Sequence, residues 1–267
     1  MFILFGKKRL ILGLTLFCFH GITAEEVKIE NEIPSTYVSR EVWMAVQEYL
    51  MPDDHPIRKK LDQIFSSTRA LSDAKSMKIA GFDRAKPQPH TGIIVTRHPE
   101  LPGYVIKAYR DDCELFDGRP EYHFWIKRAR GARKIQAFIT AHKYDHYFKV
   151  PKKWIYLLPD EPSPPSKYLR KNFILVAEDM DIYGDKKTKQ LWGSDRVTKD
   201  LLDAFYNITT ELGLADCAKP ANCPFSRDGR IAFVDTQISN NRGYVKYDRL
   251  TPYLSSPMRD YWKKLTK

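Results

Sequence analysis

Apolar residues recur at helical spacing through the first third of the chain and then switch to alternation. Val42, Trp43, Val46 and Leu50 fall at helical spacing, and Pro52-Asp53-Asp54 stops that segment. Ile57, Leu61, Ile64 and Phe65 repeat the same period and predict a second helix over 56–65. Pro87 to Gly92 is a linker, after which 92–97 and 103–109 read as two β-rich runs joined by His98-Pro-Glu-Leu-Pro102. Pro120 and Glu121 open a long helix whose buried stripe is Phe124, Trp125, Ala129, Ala132, Ile135, Phe138, Ile139 and His142. A strand over 147–158, a Pro/Ser-rich loop over 159–166 and an apolar strand from Asn172 into Glu178 follow. Thr198 caps a helix that runs to Leu212 and stops at Gly213. Asp228-Gly229, set between Phe225 and Ile231 to Val234, marks a hairpin. A short extension at 243–245 and an amphipathic helix over 257–265 complete the chain, so an α+β fold is expected.

The first 24 residues have the form of an export signal: Lys7, Lys8 and Arg9, an apolar run over 10–19, and small residues ending at Ala24. That run is about half of what a membrane span needs. Cleavage would lower the formal net charge from +11 to +8 and place the protein in the periplasm or outside the cell, including inside a host cell. What remains divides into a helical segment at 25–90, a sheet-bearing region at 91–183 and a smaller region at 184–267. Cys113, Cys217 and Cys223 are too few for a disulfide scaffold, although Cys217 and Cys223 are close enough in sequence to bridge in an oxidising compartment.

A basic chain favours acidic partners, namely phosphates, anionic lipid or nucleic acid, or else presents a solvated surface without a specific partner. The densest cluster is Lys127-Arg128, Arg130 and Arg133-Lys134 on the long helix. Its partner would be a lipid headgroup, a phosphate or a host protein. Sequence-specific nucleic acid is not expected, because neither zinc-finger spacing nor an aromatic RNA-binding signature accompanies the cluster. The sequence also lacks a nucleophile elbow, HExxH and CxxC, which leaves hydrolase and metalloprotease chemistry without support.

Candidate chemistry concentrates in a few places. Lys107 shares a strand face with Val105 and Tyr109, where position alone gives a strand lysine whose stem packs while its amine reaches water. Glu121 lies one turn before Trp125 and so faces inward, an acid set against the helix dipole. Glu178, Asp179, Met180 and Asp181 follow the apolar strand. Asp216, Lys219 and Asn222 precede the hairpin, and Asp235 closes it.

Asp216-Cys-Ala-Lys219-Pro220-Ala-Asn222, followed by Val234-Asp235, resembles the protein-kinase-like superfamily, which includes small-molecule phosphotransferases. The resemblance covers about residues 91 to 240. It implies a small antiparallel sheet with its helix, a hinge strand and a reduced helical lobe. By the same resemblance Lys107, held by Glu121, meets nucleotide phosphates, and Glu178 to Met180 form the edge that contacts adenine. Asn222 and Asp235 would hold Mg²⁺, Asp216 would orient the acceptor hydroxyl, Lys219 would offset charge on the transferred group, and ATP would be the cofactor. Several positions depart from that pattern. No Gly-rich loop precedes the strands, Leu214-Ala215 stand where His-Arg is usual, and Thr236-Gln237 follow Asp235 in place of Phe-Gly. Each change weakens catalysis more than fold. The expectation is therefore a nucleotide- or phosphate-binding protein with phosphotransferase chemistry, a catalytically inactive pseudokinase-like interaction module, or a basic envelope or host-surface binding protein.

Overall fold

A computed structural model describes residues 33–115, 118–238 and 245–267. The export-signal residues and most of the short extension at 243–245 lie outside the described residues. The fold is α+β, built on a four-stranded antiparallel sheet.

Strands β1 (Ile94–Thr96) and β2 (Tyr104–Ala108) form the expected hairpin. The run expected as one strand over 147–158 is instead two: β3 (Phe148–Lys149) and β4 (Lys153–Leu157), which belong to different sheets. Val150-Pro151-Lys152 separates them, since proline lacks the N–H that an unbroken ladder needs. With β5 (Phe173–Glu178) the main sheet has the order β1-β2-β5-β4, and β3 pairs in parallel with β6 (Ile231–Ala232).

One face of this sheet carries Ile106, Ile174, Val176 and Tyr156, packed with Leu61, Phe65 and Met77 of α2 (Arg58–Ser67) and α3 (Ala74–Ile79). The other carries Phe173, Leu175 and Ile155, packed with Trp125 and Ala129 of α4 (Glu121–Ala141) and with Val46 of α1 (Arg40–Val46). The helices α3 and α5 (Asp185–Trp192) are not among the elements that periodicity predicts. The first has six residues, and in the second Leu191 and Trp192 are the apolar pair at the end of a polar run.

A third cluster gathers Trp192 of α5, Leu202, Phe205 and Ile208 of α6 (Lys199–Glu211), Trp262 of α7 (Ser256–Leu265), and Phe225, Ile231 and Phe233 of the hairpin. The second half of α4 contributes Ala132, Ile135 and Ile139 to it. One 21-residue helix therefore packs on the sheet with its first half and on the hairpin region with its second.

The hairpin forms as its Asp-Gly signal predicts: Ser226 N donates to Arg230 O at 2.8 Å, and Gly229 takes φ 89°, a conformation glycine adopts without steric cost. From β6 the chain continues as Val234-Asp235-Thr236 and crosses α4 at Gly131. A Cβ on Gly131 would collide with the Thr236 carbonyl oxygen. Thr236 Oγ1 donates to Arg128 O at 2.6 Å and fixes the crossing.

The site of that crossing gives a test in which two effects have opposite sign. In an open helix, Gly→Ala gains about 1 kcal/mol of stability. Here Gly131→Ala is expected to lose about 1–3 kcal/mol by forcing the crossing apart, read as a lower urea midpoint. A midpoint equal to or above wild type would contradict the close approach.

Candidate functional site

Antiparallel register puts two lysines on one side of the sheet. Lys107 on β2 lies opposite Leu175 of β5, and Lys153 on β4 lies opposite Ala177. Leu175 and Ala177 are two apart on one strand, so both lysines project from the face that α4 covers. Arg128 enters the same space from α4. Asp235 arrives from beyond β6, and the four side chains line one cavity of about 680 Å³.

The contacts are close. Lys107 Nζ donates to Val234 O at 3.1 Å. Lys153 Nζ donates to the same oxygen at 3.2 Å and to Thr236 Oγ1 at 2.7 Å. Arg128 Nε stands 3.8 Å from Asp235 Oδ1. Burial lowers Lys107 to about 8, with Asp235 resisting the shift and Arg128 adding to it. Burial likewise pushes Lys153 well below the ordinary lysine range, and repulsion from Lys107 pushes it further. Burial alone would raise Asp235; Arg128, Lys107 and Lys153 outweigh it and hold the carboxyl below its usual range.

Glu178 and Met180 line this cavity too, at the exit of β5, together with Asp179, which pairs with Arg97 at 2.7 Å. The Glu178 carboxylate accepts from Lys152 N at 2.9 Å. Asn222 reaches the cavity wall and donates from its amide nitrogen to Asp216 O at 2.7 Å. Asn222 and Asp235 also border a second cavity of about 430 Å³, shared with Lys127, Arg130 and Asp216. Asp216 is held on both sides, by Lys219 at 3.2 Å and by Arg249 at 2.5 Å. Lys219 borders neither of these two cavities.

Glu121 is not the partner of Lys107. It is buried, as its position on the stripe requires, but its carboxylate accepts from Asn172 N at 2.6 Å and Phe173 N at 3.2 Å, where β5 begins. A carboxylate at the start of a helix satisfies nearby backbone N–H groups. Burial raises its pKa, and those hydrogen bonds oppose the rise. The charged group on α4 that faces the lysines is therefore a cation, Arg128.

The basic cluster on α4 is correspondingly smaller at the surface than its sequence suggests. Arg128 is buried, and Arg133 bonds Glu48 at 2.7 Å while lying over the Tyr49 ring. Lys127, Arg130 and Lys134 remain at least partly exposed. Cys217 and Cys223 are free thiols in the hairpin core, and Cys217 Sγ donates to Asp235 O at 3.2 Å.

Sequence reasoning missed Arg128 as a site residue, although it lies four residues after Phe124 and three after Trp125 and so belongs to the buried stripe. It missed Lys153 because β4 was merged with β3. Among the described residues, no group of three or more His, Cys, Asp or Glu gathers as metal ligands, and no helix is long and apolar enough to cross a membrane. No protein-family model matches the chain, and no curated protein matches it.

The lowered Lys107 pKa has a measurable sign. Folded Lys107 releases its proton near pH 8, whereas the unfolded chain holds it until about 10.5, so the unfolded state binds more protons in between. The contribution of this group to stability therefore rises from pH 8 to 10.5 and is flat below. Urea midpoints across that range are expected to climb more steeply for wild type than for Lys107→Met. Parallel profiles would show that Lys107 titrates normally.

Proposed function

We propose that the larger cavity binds a nucleotide or another phosphate ligand, within a reduced kinase-like architecture. The observation that carries this reading is the convergence of Lys107, from early in the chain, with Asn222 and Asp235, from near its end, on one cavity wall. The order of parts supports it as well: a strand bearing a lysine, a long helix, a strand leading to Glu178 and Met180, then a hairpin delivering an acid. In this reading the Lys107 amine meets phosphate oxygens, and the edge at Glu178 to Met180 offers backbone groups to a base.

Binding is favoured over phosphoryl transfer. Asp216 is the residue the kinase resemblance assigns to the acceptor hydroxyl, yet its carboxylate is engaged by both Lys219 and Arg249. The Lys107 and Glu121 pairing that an active kinase-like site requires is also absent from this geometry. A pseudokinase-like ligand-binding module therefore accounts for more of the site than an active transferase does. Export, as the first 24 residues suggest, would bring such a module to phosphate ligands outside the cell or inside a host.

Mg²⁺ fits this donor set poorly. It is commonly held by one or two carboxylates with substrate phosphates completing the shell. Of Asn222 and Asp235, the pair expected to hold it, the one carboxylate already has Arg128, Lys107 and Lys153 around it.

Thermal shift with ATP, GTP and tripolyphosphate tests the reading. A ligand at a hundred times its Kd stabilises the fold by about 2.7 kcal/mol, and Lys107→Met is expected to lose the shift. No shift at millimolar concentrations of all three would overturn the proposal.

A further inference from the structure

Three basic side chains, Lys107 of β2, Lys153 of β4 and Arg128 of α4, converge on one part of the cavity. Lys107, Lys153 and Arg128 surround one carboxylate, Asp235, while the other acids lining the cavity, Glu178, Asp179 and Asp185, belong to the end of β5 and the segment that follows it. The cluster is built into the fold. Arg128 is buried with its backbone carbonyl anchoring Thr236, and Lys153 is buried with its ammonium on Thr236 and Val234. Each ammonium has three N–H donors. Lys107 spends one on Val234 and Lys153 spends two on Val234 and Thr236, so in the protonated state, which an adjacent phosphate favours, both retain donors for a ligand.

We infer that this cavity takes the phosphate chain of its ligand directly, without a divalent cation, with Lys107, Lys153 and Arg128 supplying the charge that the metal would otherwise bring. The inference rests on the phosphate-ligand reading above and fixes how that ligand is held. Asp235 then acts as a counter-ion that keeps three cations together while the cavity is empty. Like charges this close repel strongly at the reduced dielectric of a buried site, and the carboxylate offsets that repulsion. When a phosphate chain enters, its oxygens take over this role. The Asp235 carboxylate is then a competitor of the ligand. In a metal-dependent site the same carboxylate would be indispensable.

The two schemes give Asp235→Asn opposite signs, and asparagine keeps the shape of the side chain. Calorimetric titration of the full chain with ATP and with inorganic tripolyphosphate, each in EDTA and in millimolar Mg²⁺, decides between them. Wild type is expected to bind in EDTA at least as tightly as with Mg²⁺, because the metal neutralises the ligand. Asp235→Asn is expected to bind about fivefold tighter in EDTA, the effect of removing one nearby negative charge. Lys153→Met is expected to bind at least tenfold more weakly, checked on protein with wild-type circular dichroism. Binding by tripolyphosphate identifies the phosphate chain as sufficient, and binding by ATP alone adds the nucleoside to what is recognised. Either pattern supports the inference if it holds in EDTA. Binding that requires Mg²⁺ and is lost in Asp235→Asn overturns the inference while leaving the phosphate-ligand reading intact. No binding under any condition overturns both.

Discussion

The segment Val234-Asp235-Thr236 lies flat against α4 at Gly131, and nearly everything about the candidate site follows from that contact. The absence of a side chain on Gly131 lets backbone meet backbone. The Thr236 hydroxyl then donates to Arg128 O and accepts from Lys153, while Val234 O accepts from both Lys107 and Lys153. Three elements distant in sequence, namely β2, β4 and α4, are thus tied to one short stretch that follows β6. Residue 235 has no alternative position once its two neighbours are fixed in this way, and its carboxylate stands among three cations as a consequence.

Buried charge is expensive, and the site departs from ordinary core construction for that reason. Positions 107 and 153 belong to a sheet face otherwise filled by Phe173, Leu175 and Ile155. Apolar residues there would extend the same packing with no desolvation cost. The protein instead holds two amines whose pKa values burial depresses. Titrating groups perturbed in this way cluster in functional clefts. By comparison, the buried Arg69 and Asp111 pair, at 2.9 Å with Arg69 also donating to Lys171 O, is satisfied within the protein and lies where α2, β2 and β5 are fastened together.

Much of this architecture was legible in the residue pattern. Alternation gave β1 and β2, the 3.6-residue stripe gave α4 and α6, and Asp228-Gly229 gave the hairpin, because each signal is local. The convergence of Lys107 with Asp235 was legible through the order of motifs. The partner of Glu121 was not: an inward-facing acid at a helix start can meet a lysine or backbone N–H groups, and sequence spacing does not separate the two. Lys153 was hidden by the assumption of one unbroken strand across Pro151. Arg128 and Gly131 carried readable signals, a charge on an apolar stripe and a glycine inside a long helix, but a dense basic run invites reading every member as solvent-facing.

The central claim is that Lys107, Lys153 and Arg128 form one anion cradle beside Asp235. Locating a heavy oxyanion by anomalous diffraction in crystals soaked with tungstate tests it most directly. The account predicts a tungstate peak within hydrogen-bond distance, roughly 3 Å, of Lys107 Nζ and Lys153 Nζ. A cavity empty of tungstate, with the anion bound only at exposed positions such as Lys134, would contradict it.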